Sequence, residues 1–168
     1  MITRKKARTA KIGVFAVAHA TYWAQFDGLE GNIMGFHKDF VKSVEKNAVE
    51  TVDFGMVDSS EKAYETVKKI LAADVDILFC NMVTYATSSV FAPIIKEVDK
   101  PVILTALQPL SALDYTKANT FMQLENDNIC SVPEFTGVAI RMGKKVADVI
   151  IGSLYNDAEA EKAVAEWC

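Results

Sequence analysis

The sequence predicts an α/β domain built on a doubly wound parallel sheet, and three observations lead to this fold class. Short apolar runs alternate five times with amphipathic segments along the chain. Most connections between them are short, and 168 residues suit a single domain of this kind. Right-handed crossovers then place all five strands in one sheet with helices on both faces.

A long helix is predicted between the first two strands in the sequence. Lys11–Ala18 has no charged or polar side chain after its first residue and is expected to form a fully buried strand. Apolar residues then recur at helical spacing over about 28–47. Val49–Val57 alternates enough to predict an edge strand, and Asp58 with Glu61 is expected to frame the start of the second helix.

The remaining strands follow the same pattern. Asp76–Met82, Pro101–Leu107 and Lys145–Leu154 are predicted as the third, fourth and fifth strands. A short helix over about 89–98 separates the third and fourth, with Pro93 expected near its first turn. The predicted sheet order is 2-1-3-4-5, which is the flavodoxin-like arrangement.

The connection over 108–128 is long, polar and irregular, which is typical of functional segments. After it, Ser131 and Glu134 have the spacing of a capping box, and Gly143 can end the helix that they begin. Asp157 is expected to cap the last helix.

Composition separates a basic arm, residues 1–10, from one domain over 11–168. The net charge of −4 argues against a nucleic-acid partner, and no apolar run of about 18 residues predicts a membrane span. Three cysteines without a Cys-x-x-Cys spacing favour a reducing compartment, so a cytoplasmic location is expected. The apolar helix face that ends at Trp167 and Cys168 suggests that a further element follows.

In doubly wound sheets the ligand lies beyond the carboxyl ends of the strands, where the strand order reverses between the first and third strands. Gly28, Gly31 and Gly35 do not form a dinucleotide or phosphate-binding motif, and rings occupy the loop where a phosphate would lie. The loops here offer neutral donors and acceptors beside aromatic faces, a combination suited to a sugar or polyol. The candidate substrate-binding residues are His19, Tyr22, Trp23, Asn81, Thr84, Tyr85 and Gln108.

Structural alternatives remain open for these residues. Tyr22 and Trp23 could pack as a lid, and Asn81 and Thr84 could satisfy loops or helix caps. For His19, binding or orientation is favoured over catalysis because no carboxylate lies nearby in sequence.

The other polar residues give weaker signals. His37 is expected at the edge of the core. Glu125 and Asp127 could form an acidic pair or an ordinary turn. The spacing of histidines and carboxylates predicts no metal site and no cofactor bound by this chain.

Four stretches together resemble the N-terminal domain of the L-arabinose and L-fucose isomerase superfamily, closest to its arabinose-isomerase-like branch. They are HATYW from His19, Asp76–Ser89, Pro101–Tyr115 and Gly152–Asp157, and the similarity runs over 11–168. The resemblance implies aldose–ketose isomerisation with Mn²⁺ in the full-length enzyme, and homo-oligomers that are trimers or hexamers. It also matches His19, Tyr22 and Gln108 to substrate-side residues of the family.

The sequence therefore predicts a sugar-binding and oligomerisation domain of an aldose–ketose isomerase. Through the resemblance, the metal and catalytic glutamates are placed in later domains, so this chain alone is expected to be inactive and to hold no catalytic residue. The alternative is a standalone module that binds a sugar or a small metabolite without catalysis.

Overall fold

The computed structural model describes residues 9–168, and within them the chain forms one five-stranded parallel sheet. The strands are β1 (Lys11–Val17), β2 (Glu50–Val57), β3 (Ile77–Met82), β4 (Val102–Gln108) and β5 (Asp148–Ser153). Their order is β2-β1-β3-β4-β5, so the predicted flavodoxin-like α/β fold and the edge position of β2 are confirmed. The basic arm predicted over 1–10 lies, as far as residue 8, outside the described residues.

Within residues 9–168, six helices connect or follow the strands. They are α1 (Leu29–Glu45), α2 (Ser60–Ala73), α3 (Ser88–Glu97), α4 (Thr120–Glu125), α5 (Val132–Arg141) and α6 (Ala158–Trp167). A short 3-10 turn, Ala20–Tyr22, precedes α1. The sequence did not predict α4 or the 3-10 turn, because neither is long enough to show a helical period.

Alternate side chains of the buried strands pack against opposite helix layers, as the two-residue period of a strand requires. On one face, residues such as Phe15 and Leu78 pack with α2, α3 and α5. On the other, residues such as Ile12 and Phe79 pack with α1 and α6. Burial on both faces explains why β1 and β3 read as continuous apolar runs.

Two helix starts differ from their predictions. Ser59, rather than Asp58, caps α2 by accepting a hydrogen bond from the backbone N–H of Lys62 at 3.3 Å. At α5, Ser131 makes no cap bond, and the side chains of Ser131 and Glu134 bond instead to the backbone of Ala86 and Ser88. The residues of the predicted capping box therefore join the start of α5 to the first residue of α3 and to the loop before it.

The predictions for the ends of α5 and α6 are confirmed, whereas the predicted position of Pro93 in α3 is wrong. Asp157 caps α6 through the N–H of Ala160 at 3.1 Å, and Gly143 follows α5 with a φ of 67°. Pro93, however, occupies the sixth position of α3 rather than its first turn. It lacks an N–H to donate to the carbonyl of Ser89.

A bulge in the β2 edge strand brings a polar group onto the core helix α1. The register of β1 with β2 shifts between Val14 and Ala16, opposite Gly55, whose φ is 77°. The bulge presents Asp53, whose carboxylate accepts a hydrogen bond from Gly55 N–H at 2.8 Å and contacts the ring of His37 at 2.9 Å. The edge strand is thereby joined to α1.

Candidate functional site

The candidate site lies at the carboxyl ends of β1 and β3, where the strand order reverses. Three segments meet there: the loop over 18–28, the loop over 83–87 and a polar segment over 126–131 between α4 and α5. This is the position at which doubly wound sheets hold ligands. How each segment is tied to the sheet decides which of its side chains face outward.

The loop after β1 is anchored by Trp23. Its indole Nε1 donates a hydrogen bond to the Asp58 carboxylate at 2.9 Å. Asp58 is only 5% exposed and also forms an ion pair with Lys62 at 2.8 Å. Within the loop, the amide of Gln25 donates to the carbonyl of Thr21 at 2.8 Å. The indole N–H of Trp23 is therefore committed to the protein.

We predict that Trp23→Phe lowers the free energy of unfolding by about 1.5–3 kcal/mol, since a hydrogen bond to a charged, buried acceptor is lost. Phenylalanine keeps an aromatic side chain at this half-buried position but lacks the indole N–H that bonds to Asp58. Urea unfolding measures it. Tyr64→Phe, on a side chain that is 57% exposed, is the control and should leave stability unchanged. Equal stability of the Trp23 variant and the parent would contradict the anchor.

The segment over 126–131 is tied to the sheet by three buried polar side chains. Asn126 accepts a hydrogen bond from Leu110 N–H at 3.0 Å. Asn128 donates to the carbonyl of Met82, the last residue of β3, at 2.7 Å. The hydroxyl of Ser131 bonds to both the N–H and the carbonyl of Ala86, at 2.8 and 2.7 Å. These bonds hold the segment against the ends of β3 and β4.

Four side chains come together above these anchors and form the switch-point cluster: Tyr22, Tyr85, Asp127 and Cys130. Burial, followed by the charge of Asp127 and the neighbouring Tyr85 and Cys130, raises the pKa of the Tyr22 phenol. Hydrogen bonding to the Asp127 carboxylate, together with burial, raises the pKa of the Cys130 thiol to about 11. At neutral pH the phenol and the thiol therefore stay protonated beside a carboxylate.

Three of the predicted binding residues lie at this cluster. Tyr22 and Tyr85 belong to it, and the ring of His19 stands 5.5 Å from that of Tyr22, tilted by 51°. The Nδ1 atom of His19 is 3.1 Å from the hydroxyl of Thr21. The predicted meeting of the loops after the first and third strands thus has a spatial counterpart, whereas the stretch directly after the fourth strand, residues 107–115, contributes none of the four cluster residues. The role of the residues in binding stays a prediction.

The other predicted residues are turned inward. The amide of Asn81, 3% exposed, bonds to Nδ1 of the buried His37 at 3.2 Å. The amide of Gln108 donates to the carbonyl of Asn126 at 2.9 Å. Thr84 is fully buried, and its hydroxyl has no hydrogen-bond partner among the described residues.

Sequence reasoning missed Cys130, Asn128 and Ser131 as parts of the site and left Asp127 between an acidic pair and a turn. The available signal was the polar run ENDN within a long connection, followed closely by a cysteine and a serine. Glu125, the other member of that acidic pair, instead accepts a hydrogen bond from Asn32 of α1 at 2.8 Å.

A surface cavity of about 470 Å³ lies elsewhere, at the carboxyl ends of β4 and β5 and the start of α6. Residues 109–111, Ser153 and residues 155–159 line it, and they include neither the switch-point cluster nor any predicted binding residue. Asp157 already uses its carboxylate there to accept from Ser153 and Ala160 N–H. The cavity is therefore separate from the switch-point cluster, and one of its two carboxylates already serves as the cap of α6.

Within residues 9–168 no group of three or more His, Cys, Asp or Glu side chains is arranged to hold a metal ion. No helix in that part of the chain is both long enough and apolar enough to cross a membrane.

The fold and the site define the class as a flavodoxin-like α/β domain with a polar cluster at its switch point. No family model and no curated protein sequence matches the chain. Solved structures do match. One is a type II dehydroquinase from Propionibacterium acnes, with 12% identity, a TM-score of 0.45, and coverage of 95% of this chain and 97% of that one. Another is a 3-dehydroquinate dehydratase-like protein from Bifidobacterium longum, with 12% identity, a TM-score of 0.39, and coverage of 94% and 97%.

These comparisons correct the family prediction. The two matching structures named above are a type II dehydroquinase and a 3-dehydroquinate dehydratase-like protein, not arabinose or fucose isomerases, so the predicted membership and the predicted isomerase function are wrong. The alternative of a sugar-binding or metabolite-binding module gains no support either. At 12% identity the likeness concerns the fold alone, and the activity named for these proteins remains theirs. The predicted homo-oligomer stays a prediction.

Proposed function

We propose that the switch-point cluster binds a small organic cation. One observation carries this proposal: the Asp127 carboxylate lies beside Tyr22 and Cys130, a phenol and a thiol whose raised pKa values keep them uncharged at neutral pH. Among residues 9–168 no lysine, arginine or histidine forms an ion pair with it. A ligand that brings a positive charge would therefore find an unpaired anion at the edge of the sheet.

The neighbouring groups strengthen this preference. Because the pKa values of Tyr22 and Cys130 are raised, neither contributes a charge that would compete for Asp127. The faces of tyrosine rings attract cations through their quadrupole, a contribution of roughly 0.5–2 kcal/mol. A carboxylate beside the phenol of Tyr22, which in turn neighbours Tyr85, thus favours an ammonium-type head group over a neutral or anionic one.

This ligand class differs from the neutral polyol that the sequence predicts. The polyol interpretation relied on free amides and an indole, and the structure commits those of Asn81, Gln108 and Trp23 to internal hydrogen bonds. It adds the charge of Asp127, which the sequence interpretation had not placed at the site.

Comparing choline with its uncharged isostere 3,3-dimethyl-1-butanol tests the proposal. We expect choline to perturb the amide resonances of the loops 18–28 and 83–87 in NMR titration, and to bind at least about tenfold more tightly than the isostere. At ten times its Kd, choline should also stabilise the fold by about 1.4 kcal/mol. Equal binding of both compounds, or binding of neither, would refute the cation site.

Substitution of the carboxylate supplies the matched comparison. Asp127→Asn keeps the size of the side chain and should weaken choline binding about tenfold to a hundredfold, as expected when a charge-assisted contact is lost. Asp99→Asn, which removes a fully exposed carboxylate elsewhere, should leave binding unchanged. If both variants bind like the parent, the charge of Asp127 is not what recognises the ligand.

A further inference from the structure

We propose that Asn128 and Ser131 are positioning residues that hold Asp127 and Cys130 beside Tyr22 through buried hydrogen bonds to the loop after β3. The part of this inference that concerns ligand affinity rests on the proposed cation site. It assigns a role to two residues that touch no ligand and act through their neighbours in the chain.

The hydrogen bonds are specific in their targets. Asn128 is 3% exposed and bonds to Met82, where β3 ends. Ser131 is fully buried, and both of its bonds go to Ala86, the residue after Tyr85. The two anchors therefore reach the two sides of the same short loop.

The anchors lie on either side of the residues they position. Asp127 immediately precedes Asn128, and Cys130 immediately precedes Ser131, so each functional side chain is one peptide from a fixed point. Ile129, between the anchors, is 44% exposed and adds little packing. Because fixed backbone groups determine where the adjacent side chains can reach, the anchors decide the contact between the thiol and the carboxylate.

The contact between Cys130 and Asp127 provides a measurable quantity, the pKa of the Cys130 thiol, that a purely structural role of the anchors would leave unchanged. We expect Ser131→Ala and Asn128→Ala each to lower the pKa of the Cys130 thiol from about 11 toward the ordinary thiol value, because the carboxylate is no longer held beside it. The pH dependence of alkylation of the folded protein measures this. A Cys168→Ser background leaves Cys80, which is fully buried, as the other thiol.

Thr105→Val is the matched control. It removes another fully buried hydroxyl, one that donates to the carbonyl of Cys80 in β3 at 3.4 Å and makes no bond to the segment over 126–131. The thiol should keep its pKa of about 11 in this variant. A thiol pKa that stays unchanged in both anchor variants, or that falls equally in the control, would overturn the positioning role.

Choline affinity separates this inference from the proposed function. If the parent binds choline, both anchor variants should bind it several-fold more weakly, while Thr105→Val binds like the parent. If the parent does not bind choline, the cation site fails, and the thiol titration still decides whether the anchors position Asp127. Near-UV circular dichroism confirms that each variant is folded, and either anchor variant alone suffices for the test.

Discussion

Replacing Phe91 with alanine is expected to lower the free energy of unfolding by about 3–5 kcal/mol. Phe91 on α3 stacks against Phe135 on α5, with ring centroids 4.5 Å apart and ring planes within 10° of parallel. Both side chains are fully buried in the core between the sheet and this helix layer. The truncation removes a large apolar surface and leaves a cavity that rigid neighbours cannot fill.

Chemical denaturation of three variants checks this effect. Phe135→Ala should cost about as much as Phe91→Ala, and the double variant should show a coupling of about 0.5–1.5 kcal/mol from the stacked pair. Tyr64→Ala is the control, because this side chain is 57% exposed, and it should change stability by less than about 0.5 kcal/mol. A cost below about 1 kcal/mol for Phe91→Ala would show that the helices do not pack as described.

The second large effect concerns the buried side chain of His37, which is hydrogen-bonded to Asp53 and Asn81. Replacing His37 with alanine is expected to cost about 2–4 kcal/mol, since a cavity is created and a buried partner is left without its bond. His37 is fully buried on α1, between the carboxylate of Asp53 at 2.9 Å and the amide of Asn81 at 3.2 Å. Removing the ring leaves that amide, which is 3% exposed, without its histidine partner.

The neighbouring position supplies the control for this prediction. Lys38→Ala, on the exposed face of α1, should change stability by less than about 0.5 kcal/mol. The His37 variant should also alter Asp53. Burial opposes ionisation there, yet hydrogen bonds from His37 and Gly55 hold the pKa of Asp53 below its ordinary value. NMR titration of Asp53 should therefore show a higher pKa in His37→Ala. An unchanged pKa would exclude the bond.

The fold was predictable because the spacing of apolar residues along the chain differs between buried strands and amphipathic helices. Strands such as β1 and β3 are buried on both faces, so they appear in the sequence as unbroken apolar runs. The spacing of apolar residues in α1 defined a helix whose predicted ends, about 28 and 47, agree within two residues with Leu29–Glu45. Right-handed crossovers then left few topologies to choose from.

The family and the function were less predictable. Short motifs such as HATYW and TYATSS carried the resemblance to sugar isomerases, and the solved structures that match the fold are of another family. Such motifs record which residues follow a strand. They do not record what those residues bond to, and Trp23 and Asn81 bond within the protein.

By itself, then, the sequence determined the doubly wound sheet, its strand order and the edge where the loops after β1 and β3 meet. Only the tertiary structure decided which polar groups at that edge are free. Ser131 and Glu134 have the spacing of a capping box, yet they bond to Ala86 in the loop before α3 and to Ser88 at the start of α3, 45 and 46 residues away. The physical reason is that a buried polar group must find a partner, and nothing in its local sequence specifies a partner distant in the chain.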